Sequence, residues 1–378
     1  MMRFLHTRPG NMFHHLHIPA FAVIVLAAAL LLSGNTRRRQ DYTAFSRCTD
    51  PGSCRYLLRN TPRNVCSLCS LSRCQVVHHL VFMYQSGGDC GNKCSCNAWS
   101  ARAEDILSFH RQHHKELCQW NDQGRKFVGT CTSEACLLAC LLRYHGIPVR
   151  IRAGFLTHIR TDISCVENFW RRVTEHKADM AGLRGMERDR LIRLSEQNTR
   201  RENADDHRIE HWICEYFDRH QAQWRLLHAN TDFLKYHSNI EVGFHLPPQY
   251  FEFSYQAWLK MRDSVYYHNE SYREEQQDGR SHIRSILLWD FYSLLNHDLA
   301  GVDHHKGQLY QFVKNKRYHQ LSGTELAELD ELARLMLENP DIKILTTFYR
   351  KSKTLRFPEI EADSYSFVYR GNLFANGN

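Results

Sequence analysis

The most regular alternation of apolar and polar positions in this chain lies between residues 128 and 155. Apolar side chains recur at helical spacing after Cys131, at Ala135, Leu138 and Leu142. A threonine on either side of Cys131 can cap the first turn, and Gly146 followed by Pro148 ends the run. The pattern therefore predicts a helix that begins at Cys131 and leads into a strand.

A second pattern is typical of a β-hairpin. Residues 210–218 are rich in β-branched and aromatic side chains, and a polar turn follows at residues 219–223. The run that starts at Trp224 and continues to Asn230 predicts the second strand of the hairpin.

Helical periods dominate the rest of the chain. They predict helices at residues 67–82, 283–299 and 321–337. The charged, arginine-rich stretch 157–208 also favours helix, and it joins the strand after the Cys131 helix to the hairpin. Two interpretations stay open for this stretch: a lid or partner-docking surface beside the hairpin, or a solvated helical excursion.

The N-terminal region carries an apolar run at residues 18–32, followed by three arginines at 37–39. The run is short for a membrane-spanning helix and has the length of a signal-peptide core, whereas the arginines oppose translocation of the downstream chain. We therefore keep two alternatives: membrane association through residues 18–32 with a cytoplasm-facing domain, or export after signal cleavage.

Composition narrows the function classes. The chain has 43% hydrophobic and 24% charged residues, which is typical of a globular protein with one or two domains. Its 49 basic and 41 acidic residues give a formal charge of +8, but they are dispersed and form no basic motif interleaved with aromatics. Nucleic acid is therefore not an expected partner.

Cysteine usage is uneven, because eight of the 14 cysteines fall in region 48–96. Cys66 and Cys69 have the spacing of metal ligands, but two cysteines three apart in a helix also simply share a face. Structural zinc, disulfides and unlinked thiols all stay open for this region.

Cys131 is the candidate nucleophile. A thiol at a helix start feels unpaired backbone N–H groups and the positive end of the helix dipole, and both favour the thiolate. His211 at the start of the hairpin is the candidate base, and a group on the second strand would orient it. The alternative for Cys131 is a small buried hydrophobe, which is the role we assign to Cys136 and Cys140.

These segments together resemble the bacterial transglutaminase-like family. The resemblance rests on Gly-Thr-Cys at 129–131, Arg-Tyr-His-Gly-Ile-Pro-Val-Arg at 143–150, His211-Trp212 with Glu215 four residues after the histidine, and the Trp-led strand. It implies an α+β fold with a papain-like core, in which the nucleophile helix packs on an antiparallel sheet and additional helices lie at both ends.

The resemblance extends over about residues 41–360 and suggests a division of the chain. Residues 1–40 form an N-terminal tail, 41–120 a helical cysteine-rich lead-in, 121–262 the catalytic core with a charged insertion at 159–208, and 263–378 a helical C-terminal extension. Trp289 and Asp290 in that extension are candidates for bordering a substrate cleft, although tryptophan more often belongs to a core.

One position departs from the family pattern. Where the family has Asp as the third catalytic residue, this chain has His228. A neutral histidine accepts a hydrogen bond but does not offset the positive charge of a protonated His211 as Asp does. Asn230 and Asp232 lie close enough in sequence to be considered as substitutes.

The resemblance implies a catalytic set of Cys131, His211 and His228, with no cofactor and no catalytic metal. The expected chemistry is acyl transfer or amide hydrolysis on a protein or peptide carboxamide, through a thioester on Cys131. Two alternatives come from other classes: a catalytically degraded relative that binds peptides, and a membrane-tethered scaffold organised by region 48–96.

Overall fold

A computed structural model describes most of the chain. The described residues are 41–86, 102–113, 116–117, 126–157, 163–204, 208–263, 269–272, 277–297, 312–314, 316–338 and 341–356.

The described residues form a mixed helical and antiparallel-sheet structure, as an α+β fold requires. The helices are α1 (Val65–Gln75), α2 (His79–Ser86), α3 (Ala103–His113), α4 (Cys131–Tyr144), α5 (Ile163–Met180), α6 (Gly185–Ala204), α7 (Asp232–Ser238), α8 (Ser254–Asp263), α9 (Gly279–Leu294), α10 (Gly323–Glu338) and α11 (Ile342–Lys351). The strands are β1 (Val76–His78), β2 (Phe127–Gly129), β3 (Val149–Leu156), β4 (Ile209–Asp218), β5 (Gln223–Leu227) and β6 (Phe251–Phe253).

The larger sheet has the order β5-β4-β3-β6, and its neighbouring strands are antiparallel. Strands β4 and β5 form the predicted hairpin, with Asp218 opposite Gln223 and Cys214 opposite Leu227. Because β5 ends there, β4 extends beyond it. The extension carries Ile209 to Ile213, and it includes His211.

Apolar layers cover both faces of this sheet. Every residue of β3 is buried, including Arg150 and Arg152, which alternate with its apolar side chains. Helices α4 and α9 share one core with side chains of β3 and β4, including Ile151 and Trp212. A second core on the other face joins Ile213 to Phe233 of α7 and Phe169 of α5.

The predicted helix at residues 67–82 is wrong in its middle. Helix α1 ends at Gln75, strand β1 follows, and α2 begins at His79. Two consecutive β-branched residues in β1 disfavour helix, and the strand pairs in parallel with β2, which ends two residues before Cys131. The interruption therefore ties the N-terminal helices to the start of α4.

The charged insertion is a helical hairpin of α5 and α6. The inner helix α5 buries Phe169, which stacks on Tyr84 of α2 with ring centroids 5.2 Å apart. The outer helix α6 is largely exposed, and Met186 at its start is 87% exposed. Helix α6 is thus exposed to solvent, while α5 belongs to the second core. Both interpretations of the insertion, a docking surface or a solvated excursion, stay predictions.

The C-terminal helices belong to the same apolar core as α4 and the larger sheet. Helix α9 is buried along nearly its whole length and packs on β3. Asp290 of α9 is fully buried and binds Arg152 of β3 through two hydrogen bonds of 2.8 and 2.9 Å. Asp290 therefore belongs to the core, and its candidacy as a cleft residue was wrong.

The apolar run at residues 18–32 lies outside the described residues. In the part of the chain that the structure describes, no helix has the length and apolar character needed to cross a membrane.

Candidate active site

The start of α4 depends on a close approach of the backbone at Gly129. A Cβ atom added there would lie 2.6 Å from both Cβ and Oγ of Ser133, which is closer than two such atoms can approach. The backbone N–H of Thr130 donates to Ser133 Oγ at 3.2 Å, so this serine closes the first turn. The Gly-Thr-Cys sequence therefore has a packing reason, and Cys131 is the first helical residue.

The cysteines of α4 separate as predicted. Cys136 and Cys140 are fully buried in the core, which confirms their assignment. Cys131 is partly exposed, and backbone N–H groups of Thr132 and Trp212 lie against its thiol. The thiol therefore faces β4 at the residue that follows His211.

His211 and His228 are in direct contact. Their Nε2 atoms are 2.6 Å apart, and their rings are nearly parallel with centroids 4.8 Å apart. The backbone N–H of His228 donates to the carbonyl of Phe244 at 2.8 Å, which fixes the position of this histidine just after β5. The structure thus brings together His211 and the residue predicted to orient it.

Both rings of this pair are neutral at physiological pH. Burial lowers the pKa of His228 to about 4. Burial lowers the pKa of His211 well below its usual range, and the nearby imidazoles of His228 and His78 oppose its protonation further. Since one nitrogen must donate and the other accept in a contact between neutral rings, a single proton lies between the two Nε2 atoms.

The thiol of Cys131 is not activated in the way that its position at a helix start suggests. Burial raises its pKa, the negative charge of Glu210 raises it further, and Glu134 adds to the shift when it is ionised. The N–H groups of Trp212 and Thr132 lower it but do not reverse the direction. The expectation of a resting thiolate is therefore wrong, because burial of the thiol, together with the Glu210 carboxylate, outweighs the N–H groups at the helix start. The His211 ring, the candidate base for this thiol, is hydrogen-bonded to His228.

The two candidate substitutes for the missing carboxylate are engaged elsewhere. Asn230 donates from Nδ2 to Glu134 of α4. Asp232 forms a salt bridge with Arg73 of α1. Of the three candidates for the third catalytic position, His228 is the one with a described hydrogen bond to His211.

Sequence reasoning missed an ion pair beside the thiol. His282 Nε2 lies 3.0 Å from Glu210 Oε2, and its Nδ1 lies 2.8 Å from the carbonyl oxygen of Tyr272. Since both ring nitrogens face acceptors, His282 is an imidazolium. Burial alone would raise the pKa of Glu210, but the hydrogen bond and charge of His282 lower it to about 2.

Glu210 of this ion pair also binds Trp212, the residue that follows His211. The indole N–H of Trp212 donates to Glu210 Oε1 at 3.2 Å, and its ring lies 6.2 Å from that of Trp289. Trp289 is therefore close to the candidate site, although it is mostly buried. The one sequence signal for this group was the position of Glu210 next to His211.

Four described cysteines of region 48–96 are free thiols, and Cys48 is buried in the core; the four are Cys54, Cys66, Cys69 and Cys74. Cys90, Cys94 and Cys96 lie outside the described residues. Within the described ranges, no group of three or more His, Cys, Asp or Glu side chains is arranged to hold a metal ion.

Comparisons with known proteins give no further identification. No family model, curated protein or solved structure matches the chain. The resemblance to transglutaminase-like proteins therefore stays a prediction from the residues quoted above.

Proposed function

We propose that this chain is a cysteine acyltransferase or amide hydrolase of papain-like arrangement that acts on protein or peptide carboxamides. The observation that carries the proposal is the meeting of three elements at the extended end of β4. The start of α4 supplies the partly exposed Cys131, β4 supplies His211, and the segment after β5 supplies His228 in contact with it.

The raised pKa of the thiol and the lowered pKa of His211 favour a neutral resting pair. His211 Nε2 is engaged with His228, which leaves Nδ1 as the ring atom that accepts the thiol proton. Proton transfer then accompanies attack of Sγ on the carbonyl carbon, and the backbone N–H of Cys131 is one donor to the developing oxyanion.

Collapse of the tetrahedral intermediate breaks the carbon–nitrogen bond. His211 returns its proton to the leaving nitrogen, and a thioester remains on Cys131. Attack by water on this thioester gives hydrolysis, whereas attack by an amine gives a new amide. In both cases His211 accepts the proton of the attacking group.

A peptide-binding protein without turnover is the second candidate. Two features favour it: burial raises the pKa of the Cys131 thiol, and the residue behind His211 is a histidine whose pKa burial lowers to about 4. A neutral third member forgoes the charge that stabilises a protonated imidazole.

Thioester formation separates the two candidates. The protein is incubated with a glutamine dipeptide blocked at its N-terminus and with hydroxylamine as acceptor, and hydroxamate formation is measured. We expect product from the wild type and none from Cys131→Ser. Cys66→Ser is the matched control, because Cys66 is an exposed thiol on α1. Binding of the dipeptide without hydroxamate would establish the peptide-binding candidate instead.

A further inference from the structure

The proton positions at the histidine pair imply one buried N–H donor, at His228 Nδ1, whose hydrogen-bond partner must be identified. If His211 Nδ1 accepts the thiol proton, its Nε2 carries the hydrogen that lies between the rings. His228 Nε2 is then the acceptor, and the hydrogen of neutral His228 is on Nδ1. That Nδ1 is buried, and no described residue provides a hydrogen-bond partner for it.

A small cavity adjoins His228. It is lined by side chains and backbone from α4, β4 and the segment after β5, including Glu134, Ile213, Leu227, His228 and Ala229. Its free space fits about one water molecule. A buried N–H and a buried carboxyl on the same small cavity supply the polar partners that an internal water needs.

Glu134 is held at this cavity by its neighbours. Glu134 is only 6% exposed, and Asn230 donates a hydrogen bond to its Oε1. Asn230 Oδ1 in turn accepts from the backbone N–H of Asp232 at 3.1 Å, so the amide has a fixed orientation. The carboxyl therefore keeps one oxygen on Asn230 and has a second oxygen for another donor.

We propose that Glu134 is a positioning residue that supplies the carboxylate of this site through one water bridging it to His228 Nδ1. The proposal rests on the proposed function and deepens it. The order of groups is Cys131, His211, His228, water and Glu134. Charge that develops on His211 is then balanced by a carboxylate two groups away, in place of the Asp that the resembling family places in direct contact.

The protonation of Glu134 sets the pH range in which the relay acts. Burial raises the pKa of Glu134 to about 8, while the Asn230 hydrogen bond opposes the shift. The other charged or titratable groups near it are Lys126 before β2, Asp232 of α7 and Cys131 on its own helix. Because the carboxylate is the active form, its assistance is present above about pH 8 and is lost as the pH falls through that value.

The first test is a high-resolution crystal structure of the wild-type protein at pH 9. We expect one ordered water within hydrogen-bond distance of both His228 Nδ1 and the Glu134 carboxylate. A cavity without water, or a water that does not contact Nδ1, would overturn the proposal. This result does not depend on whether Cys131 is reactive.

The second test compares the rate of Cys131 alkylation by iodoacetamide in the wild type and in Glu134→Gln. Loss of the relay should slow labelling at least about threefold at pH 9 and leave it unchanged at pH 6.5. Direct repulsion has the opposite sign, because the Glu134 charge raises the pKa of the thiol. Equal or faster labelling of the variant at pH 9 would therefore rule out the relay.

Glu134→Asp is the conservative partner of this variant, and it should recover part of the lost rate because it keeps a carboxyl group. Thermal unfolding of each variant shows whether it is folded, and the crystallographic test needs no variant. If the wild-type Cys131 is unreactive at every pH, the proposed function fails, and the water position still decides the relay.

Discussion

At the scale of single residues, His228 is the main difference between this chain and the transglutaminase-like pattern that it resembles, which has Asp at this position. Its Nε2 contacts Nε2 of His211, but its ring is neutral because burial lowers its pKa to about 4, and so it lacks the negative charge of an Asp. Replacing it by Asp tests what the missing charge costs. An ionised Asp would favour the protonated form of His211 and so assist transfer of the thiol proton.

We expect His228→Asp to raise hydroxamate formation at least about tenfold, which corresponds to roughly 1.4 kcal/mol of transition-state stabilisation. His228→Ala is the control, because it removes the contact without adding charge. A sharp loss in His228→Ala with no gain in His228→Asp would show that the histidine itself is a working third member. No turnover in any of the three proteins would favour the peptide-binding candidate.

The position of the site residues followed from local patterns, but their ionisation did not. The helix start at Cys131 and the hairpin at His211 are set by apolar spacing and turn residues nearby in sequence. The pKa of the thiol depends on Glu210, which His282 of a distant helix keeps ionised. No spacing rule connects residues 131, 210 and 282.

At the scale of elements, the start of α4 is fixed by the contact between Gly129 and Ser133. Gly129→Ala would place a methyl group where the Ser133 side chain lies, so the turn before Cys131 must shift. A shift of this kind costs typically about 1–3 kcal/mol of folding stability. The larger effect falls on Cys131, because its geometry relative to Trp212 and His211 is set by that turn.

We expect Gly129→Ala to lower hydroxamate formation at least about tenfold while the protein stays folded. Gly323→Ala is a matched control, because a Cβ atom there meets nothing within 4 Å. Circular dichroism and urea unfolding report folding, and the hydroxamate assay reports activity. Equal activity of the two variants would show that the glycine is not needed for the position of Cys131.

The strand inserted between α1 and α2 shows why one element was mispredicted. Helical spacing continues through residues 67–82, but Val76 and Val77 pair with Phe127 and Val128 about 50 residues later. Such a pairing depends on a partner segment that a local pattern does not contain. The partner is the strand that leads into Cys131, so the error lay next to the site.

At the scale of the whole molecule, a buried ionic network fastens the sheet to the C-terminal helices. Arg152 donates to Asp290 of α9 and to Glu215 of β4, and the Glu215 carboxylate also binds Arg150. Asp290 further accepts from the backbone N–H of Ala153 at 3.1 Å. The apolar core likewise continues from Cys48 to Leu355, so the C-terminal helices pack into the same core as the sheet.

The network predicts the effect of removing one of its charges. Asp290→Asn keeps the shape of the side chain but leaves Arg152 with less than its full counter-charge in the core, and breaking a buried pair in this way typically costs about 3–5 kcal/mol. Asp179→Asn is the matched control, since Asp179 pairs with Arg184, whose side chain is 72% exposed. The control should cost less than about 1 kcal/mol.

Urea unfolding of the two variants, followed by tryptophan fluorescence and by circular dichroism, measures both free energies. Because α9 and the sheet share one core, the two signals should shift together in Asp290→Asn. A loss of helical signal that precedes the fluorescence change would instead mean that the C-terminal helices unfold separately. In that case the pair of Arg152 and Asp290 would join two separately unfolding units, and loss of α9 would also remove His282 from Glu210 at the candidate site.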